Sequence, residues 1–129
     1  RPAQFWRFPD LVEAHKNNPA MAEFTKPLHV HLGYLQQATL WIASRGMGNP
    51  DEAGAGAVEY QKMFAQVALA YIWARQAEMA LKKLDGAEKE FYQSKIDTAR
   101  FYMQRILPQN VGLLAAITGG SKSIMAAAL

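Results

Sequence analysis

The segment from residue 91 to residue 108 repeats its apolar residues with the period of an α-helix. At 100° per residue, one broad face collects the apolar side chains and the opposite face collects Gln, Ser, Asp, Thr and Arg. This pattern predicts an amphipathic helix that begins at Ala87 and packs against a core. Pro108 predicts a kink in this helix, or a new helix from Gln109, because proline lacks an N–H and clashes with the preceding turn. The apolar face consists of Phe91, Tyr92, Ile96, Ala99, Tyr102, Met103, Ile106 and Leu107.

Phe101 is an exception to this pattern, because it falls on the polar face of the helix. Thr98 and Ser94 precede it on that face and are small enough to let another element approach. We therefore predict a docking face formed by Phe101, Thr98 and Ser94. One alternative is a singly exposed aromatic residue without a function, which protein surfaces tolerate. Another is that N-terminal aromatic residues cover it, namely Phe5, Trp6 and Phe8.

Proline and asparagine divide the first third of the chain. Asn18 followed by Pro19 predicts an N-cap and the first helical residue. Pro27 predicts a kink, or a restart of the helix at Leu28.

Glycines separate the next helix from a long apolar one. Residues 46–50 predict the end of one helix, and Asp51 is predicted to cap the next. Residues 57–84 predict a helix that is apolar nearly all round in its middle, which is typical of a helix covered on several sides. We therefore predict that Leu69 and Trp73 are largely buried.

These segments predict an all-α fold, an antiparallel bundle of about four helices joined by short connections. A chain of 129 residues is long enough for one domain with a core. Residues 1–18 are predicted to be irregular or a short helix, and residues 19–125 to form the bundle. The start without methionine and the Ala-Ala-Ala-Leu end predict an excised domain with a vector-derived tail at 126–129.

Composition argues against several classes of partner. The net charge is +3 and the adjacent basic residues are Lys82 and Lys83, whereas a nucleic-acid-binding surface needs clustered Lys and Arg. The apolar run 63–74 is shorter than the roughly 20 residues of a membrane-spanning helix, so no membrane insertion is predicted. The lack of cysteine excludes disulfides and thiol chemistry and is consistent with a cytoplasmic protein.

The sequence contains no pattern that predicts a catalytic, cofactor-binding or metal-binding residue. His29 and His31 are two apart, so they point to different sides of a helix, whereas metal ligands on one helix need a spacing of three or four. We predict that His29 is solvated and that His31 is hydrogen-bonded near the core. His15 follows Glu13 too closely for the Glu-x-x-His motif of di-iron bundles. Nucleophile-elbow and glycine-rich phosphate-binding sequences are missing as well.

A family resemblance rests on one run of residues. The run Phe-Tyr-x-x-Lys-Ile-x-Thr-Ala-Arg-Phe-Tyr at 91–102, followed by Ile-Leu-Pro at 106–108, resembles the C-terminal extension of bacterial acyl-CoA dehydrogenases. The subgroup with this run includes the 3-methylthiopropanoyl-CoA dehydrogenases. Residues 59–77 resemble the preceding helix of that extension, and the similarity spans roughly residues 19–125. Ala65 and Gln66 stand where the subgroup would have a small residue such as glycine.

The resemblance implies a parent enzyme rather than an activity of this segment. That parent is an FAD-dependent oxidoreductase, a flavoprotein of fatty acid metabolism that dehydrogenates acyl-CoA thioesters between the α and β carbons. Its catalytic glutamate and most of its flavin contacts lie upstream of the extension, so the resemblance implies FAD for the parent and no cofactor in this fragment. The expected partners are the remainder of the parent polypeptide and, in a homo-oligomeric parent, a second subunit.

The expected role of the extension is packing on the enzyme and shaping its subunit contacts. Arg100, Tyr102 and Trp73 are then structural residues. The alternative is an independent all-helical protein-interaction module without enzymatic activity.

Overall fold

The computed structural model describes residues 8–127, and all regular structure in that range is helical, as the all-α prediction requires. Phe5, Trp6 and the last two residues of the predicted tail lie outside the described residues. The α-helices are α1 Phe8–Ala14, α2 Ala22–Gly48, α3 Pro50–Ala55, α4 Ala57–Leu81, α5 Lys89–Phe101, α6 Asn110–Thr118 and α7 Lys122–Ala126.

Helix α2 begins later than predicted and is not restarted at Leu28. The Asn18 side-chain oxygen accepts a hydrogen bond from the Ala20 N–H at 3.1 Å, so Asn18 caps a turn rather than the helix. Helix α2 starts at Ala22 and continues through Pro27. Leu28, the residue after Pro27, is fully buried. This packing offsets the roughly 3 kcal/mol that a proline in the interior costs a helix.

Asn49 rather than Asp51 caps α3, so the predicted cap is wrong. The Asn49 side-chain oxygen accepts a hydrogen bond from the Asp51 N–H at 3.1 Å. The Asn49 N–H donates to the Arg45 carbonyl at 3.0 Å and thereby closes α2. Pro50 is then the first residue of α3, where a missing N–H leaves no hydrogen bond unmade. One asparagine therefore ends α2 and starts α3.

The predicted long helix changes its hydrogen-bond pattern before Pro108. Helix α5 begins at Lys89, after the predicted start at Ala87. A π-helical segment, Tyr102–Ile106, and a 3-10 turn, Leu107–Gln109, then lead into α6. Such changes of helix type accompany insertions and prolines. The bend of the axis at Pro108 stays a prediction, and so does the antiparallel order of the whole bundle.

The core lies between α2 and α4, which contact each other and both contact α5 and α6. Helix α1 joins this core through Phe8, whose ring stacks on Tyr71 with centroids 4.4 Å apart. Burial of this apolar area, rather than helix propensity, supplies most of the stability of such a fold. The largest fully buried apolar side chains are Met21, Phe24, Leu28, Met63, Val67, Leu107 and Ile117.

The prediction that Leu69 is buried is wrong, because one side of α4 is open. Leu69 is 46% exposed, whereas Trp73 is mostly buried against the core and Ala70 and Ala74 are fully buried. Neighbouring helices cover one side of α4 and leave the other side without a neighbour among the described residues. Because α4 is apolar nearly all round, its periodicity does not indicate which of its sides is left open.

Candidate docking surface

Four residues lie along the outer side of α5 and form what we call the α5 stripe: Phe91, Ser94, Thr98 and Phe101. All four are exposed, and Phe91 and Phe101 are 52% and 57% exposed. At 100° per residue they fall within about 80° of one another on the helix. Phe101, Thr98 and Ser94 thus share a face, as the sequence predicts, whereas Phe91 was predicted on the buried face and instead extends this one.

The two hydroxyl groups of the α5 stripe are turned toward their own helix. The Ser94 hydroxyl donates to the Phe91 carbonyl at 2.6 Å, and the Thr98 hydroxyl donates to the Ser94 carbonyl at 2.9 Å. Short polar side chains in helices commonly form such local bonds to the preceding turn. The stripe therefore presents mainly hydrocarbon and small side chains between its two aromatic rings.

Arg100 connects α5 to α2. Its guanidinium donates to both carboxylate oxygens of Glu23, at 2.6 and 3.0 Å, and to Asp97 at 3.2 Å. Hydrogen bonding to Glu23 is the main cause that raises the pKa of Arg100. The Arg100 and Glu23 side chains are each 40% exposed, so solvent weakens their attraction. The main effect of the ion pair is therefore to orient α5 relative to α2.

Tyr102 connects the end of α5 to α4. Its hydroxyl donates to the Gln66 carbonyl at 2.6 Å, and its side chain is buried. Burial raises the pKa of Tyr102 to about 12. Since Tyr102 opens the π-helical segment, the hydrogen bond anchors the chain where its helical pattern changes. Arg100 and Tyr102 thus flank Phe101 and attach α5 to two different helices.

Trp73 lies on α4 and packs against the hydrophobic core. Two residues further, the Arg75 guanidinium donates to the Tyr71 hydroxyl at 3.0 Å and pairs with Glu78 at 3.3 Å. The hydrogen bond to Tyr71 is the main cause that raises the pKa of Arg75. Glu78 also accepts a hydrogen bond from His15 at 2.5 Å, which ties the turn after α1 to α4.

A second exposed row of apolar residues follows α4 and was missed by sequence reasoning. We call it the α4 stripe: Val58, Ala65, Leu69, Ile72 and Met79. Val58 is 70% exposed, and the three larger residues that follow Ala65 are 45–49% exposed. Four of the five recur every seventh residue, a spacing that places them on one side of a helix. This repeat was visible in the sequence, but the apolar residues on the other sides of α4 masked it.

A cavity of about 500 Å³ lies where α1, α2 and α4 meet. Its size is in the range of small-molecule sites. The Thr39 and Tyr60 hydroxyls in its wall bond each other at 2.7 Å, and Thr39 also bonds the Leu35 carbonyl, so these polar groups are already paired. The cavity offers mainly apolar contacts and no neighbouring acid–base pair. Its lining comprises Phe8, Pro9, Leu32, Leu35, Gln36, Thr39, Leu40, Tyr60 and Phe64.

The histidines of α2 do not form a site. His29 is exposed and His31 is buried, as predicted, with the His31 ring edge-on to Tyr34 at 5.2 Å. The prediction of a hydrogen-bonded His31 is wrong for Nδ1, which has no partner in the structure. Burial lowers the pKa of His31 and so favours its neutral form. Among the described residues, no three His, Cys, Asp or Glu side chains are placed to hold a metal ion.

The family comparison covers nearly the whole chain. A model described as acetyl-CoA dehydrogenase C-terminal like matches residues 8–128. The chain belongs to this family. A search of curated proteins found no match to the chain. The match begins at Phe8, the residue that stacks on Tyr71, so the family domain includes α1 and both exposed stripes.

Within residues 8–127, no helix has both the length and the apolarity needed to cross a membrane. Two polar contacts join α5 and its continuation to other helices: Arg100 bonds Glu23 on α2, and Tyr102 bonds Gln66 on α4.

Proposed function

We propose that this domain is a non-catalytic part of an acyl-CoA dehydrogenase that docks on the remainder of the parent enzyme and shapes its subunit contacts. The observation that carries the proposal is the α5 stripe, two exposed phenylalanines separated by residues whose hydroxyls bond their own helix. Exposed apolar patches of this kind mark protein contacts. Membership of the dehydrogenase C-terminal-like family supports the enzyme as the partner.

The anchors on both sides of Phe101 support a preorganised surface. The Arg100–Glu23 pair orients α5 on α2, and the Tyr102 hydroxyl holds its end on α4. A surface held in its bound conformation loses less entropy on association than a flexible one. The structural roles predicted for Arg100 and Tyr102 serve docking in this way, and mostly buried Trp73 supports α4 from the core.

The dehydrogenation itself belongs to the rest of the parent. Acyl-CoA dehydrogenation requires a base within reach of the α-proton and a flavin beside the β-carbon. FAD carries a diphosphate, and the 500 Å³ cavity lacks a charged side chain to pair with it, so its lining does not fit this cofactor. We therefore place the catalytic glutamate and the FAD site in the remainder of the polypeptide.

The finer assignments are also part of the proposal. The Thr-Ala-Arg-Phe-Tyr run at 98–102 supports the 3-methylthiopropanoyl-CoA dehydrogenase-like subgroup, while Ala65 and Gln66 depart from its pattern. The lack of cysteine supports a cytoplasmic parent. Homo-oligomeric assembly of the parent is supported by the amount of apolar surface that α4 and α5 leave exposed.

The decisive experiment is Phe101→Ser in the full parent polypeptide, analysed by sedimentation velocity. We expect a shift toward smaller or less compact species, because serine removes the largest apolar contact of the α5 stripe. Leu40→Ser is the matched control, since Leu40 is 70% exposed and lies on α2. In the 129-residue chain, Phe101→Ser should change the free energy of unfolding by no more than about 0.5 kcal/mol. Unchanged assembly of the parent, or unfolding of the 129-residue variant, contradicts the docking role.

A flavin measurement tests the non-catalytic part of the proposal. The purified 129-residue chain should neither retain FAD after gel filtration nor reduce a dye with an acyl-CoA as donor. Absorbance near 450 nm at stoichiometric level would contradict it (about 450 nm is the region where oxidised flavins absorb, and flavins carry the hydride chemistry). The size of the native polypeptide, measured by immunoblot, separates this proposal from an independent interaction module, which would migrate near 14.4 kDa.

A further inference from the structure

The cavity where α1, α2 and α4 meet has a wall of aromatic and aliphatic side chains. Phe8, Tyr60 and Phe64 contribute three rings to it, and none of the nine described residues that line it carries a charge. The Tyr60 and Phe64 ring centroids are 6.4 Å apart, within the range that aromatic pairs prefer. Such a wall favours an uncharged, aromatic occupant, because a charge buried here would have no partner in the wall.

The polar groups of the wall allow one further hydrogen bond with an occupant. The Thr39 and Tyr60 hydroxyls bond each other at 2.7 Å. Gln36 is exposed and is the other side chain of the described wall with hydrogen-bonding groups. Its amide oxygen can accept one hydrogen bond, and a buried tryptophan needs one acceptor for its indole N–H.

Phe8, where the described range begins, is itself part of this wall. It is buried and stacks on Tyr71. Trp6 and Phe5 precede it by two and three residues in the sequence. Because an extended chain spans about 3.5 Å per residue, the Trp6 Cα lies within roughly 7 Å of the Phe8 Cα in any backbone conformation.

This short connection favours the preceding residues over a free ligand. A group tethered by a few residues has an effective concentration on the order of millimolar or above at a site beside its attachment point. Aromatic side chains also bury a large apolar area with few rotatable bonds. Two aromatic side chains next to an apolar cavity therefore compete strongly for it.

We propose that the segment before Phe8 docks in this cavity with Phe5 and Trp6 as its anchors. The Gln36 amide is the acceptor for the Trp6 indole N–H. The family match begins at Phe8, so the anchors precede the family domain and tie it to the polypeptide before it. The inference rests on the proposed attachment to a parent enzyme and names a contact within one chain that holds the domain there.

A double-mutant cycle in the 129-residue chain tests the contact. Trp6→Ala and Phe64→Ala are measured singly and together by urea unfolding, since Phe64 is 38% exposed and its ring is accessible to an occupant. We expect the two residues to be coupled by a factor of about three to ten in the unfolding equilibrium constant, as in other aromatic pairs. The control cycle pairs Trp6→Ala with Phe101→Ala and should show no coupling. Lack of coupling to Phe64, or coupling to Phe101 in its place, overturns the proposal.

Binding of an apolar dye separates a docked segment from an open ligand site. The double variant with Phe5→Ala and Trp6→Ala should bind Nile red, an uncharged dye, at least about tenfold more tightly than the parent sequence, because the cavity loses its occupants. Gln4→Ala changes a polar residue of the same segment and should bind the dye as weakly as the parent sequence. If the parent sequence binds the dye as tightly as the double variant, the cavity is a site for a free apolar ligand and the proposal is wrong.

The outcomes also separate this inference from the proposed function. The contact lies within one chain, so it does not enter the subunit assembly that Phe101→Ser and Leu40→Ser compare. If Trp6 and Phe64 are not coupled while Phe101→Ser disrupts the parent, the docking role of the α5 stripe stands and the cavity anchor is wrong. If they are coupled while Phe101→Ser has no effect, the anchor stands and the role of the α5 stripe is wrong.

Discussion

The two sides of α4 have similar composition and opposite surroundings. On the side that faces the other helices, Met63, Val67 and Ala70 are fully buried. On the other side, Ile72 and Met79 are 45% and 49% exposed. Hydrophobicity alone does not decide burial in this domain, because both sides are apolar and only one has neighbours.

The comparison also separates stability from assembly. Buried residues of α4 lose their contacts when truncated and leave cavities, whereas exposed residues of the same type lose little that the folded chain provides. Apolar residues that do not stabilise the chain are available for contacts with another protein. Of the four predictions below, the first and the last test this difference, and the other two test the polar contacts that hold α5 in place. They run from the largest expected effect to the smallest.

Met63→Ala should lower the free energy of unfolding by roughly 2–5 kcal/mol. Met63 is fully buried, so the substitution removes packed atoms and leaves a cavity. Urea unfolding followed by circular dichroism measures the loss. A loss equal to that of the exposed Met79→Ala would show that the two sides of α4 do not differ in this way.

Tyr102→Phe should remove a pH-dependent part of the stability. The pKa of Tyr102 is raised from its ordinary value of 10.0 to about 12, so the folded state holds this proton more tightly than the unfolded state. The contribution is complete below pH 10 and is lost between about pH 10 and pH 12, on the order of 2 kcal/mol. Urea unfolding of both proteins from pH 7 to pH 11.5 should show a steeper decline for the parent sequence.

At pH 7 the same variant should lose about 1 kcal/mol, because the hydrogen bond to the Gln66 carbonyl is removed. Identical pH profiles for Tyr102→Phe and the parent sequence would contradict the assignment of the titration to Tyr102. Other tyrosines and lysines titrate in both proteins, so the difference between the profiles isolates this residue.

The Arg100–Glu23 pair should contribute no more than about 1 kcal/mol, measured as the coupling energy in a double-mutant cycle with alanine at both positions. Both side chains are 40% exposed, so solvent weakens their attraction. Arg100→Lys keeps the charge and loses the two-pronged contact with Glu23. A coupling energy of several kcal/mol would mean that the pair, rather than the core, holds α5 in place.

Met79→Ala should change the free energy of unfolding by no more than about 0.5 kcal/mol. Leu69→Ala should behave in the same way, since Leu69 is also on the exposed side. Thermal melts at low protein concentration avoid any contribution from association. A large loss in either variant would mean that α4 is covered on this side in solution.

Much of the fold could be predicted because helix formation is a local property. The periodicity of residues 91–108, the turn before Pro50 and the different sides of the helix taken by His29 and His31 all depend on residues a few positions apart. Phe101 was predicted on an exposed face for the same reason, since its neighbours on the helix are polar. The helix boundaries were less accurate because several residues compete for each cap, as Asn49 and Asp51 do.

Other features depend on residues far apart in the chain. Arg100 meets Glu23 across 77 positions, and Tyr102 meets Gln66 across 36. The motif at 98–102 marked Arg100 and Tyr102 as structural residues, but no local pattern names their partners. Phe91 was misplaced because an aromatic at the margin of an apolar face is covered only if a neighbouring helix reaches it.

The sequence by itself determined the all-helical class, the positions of most helices and the run that resembles the dehydrogenase extension, since propensity and periodicity act within a few residues. The tertiary structure alone decided which side of α4 is buried, and thereby turned a predicted core residue, Leu69, into part of an exposed surface. The physical reason is that an all-round apolar helix gains similar free energy from burying either side. The arrangement of its neighbours selects the side that is covered and leaves the other side exposed.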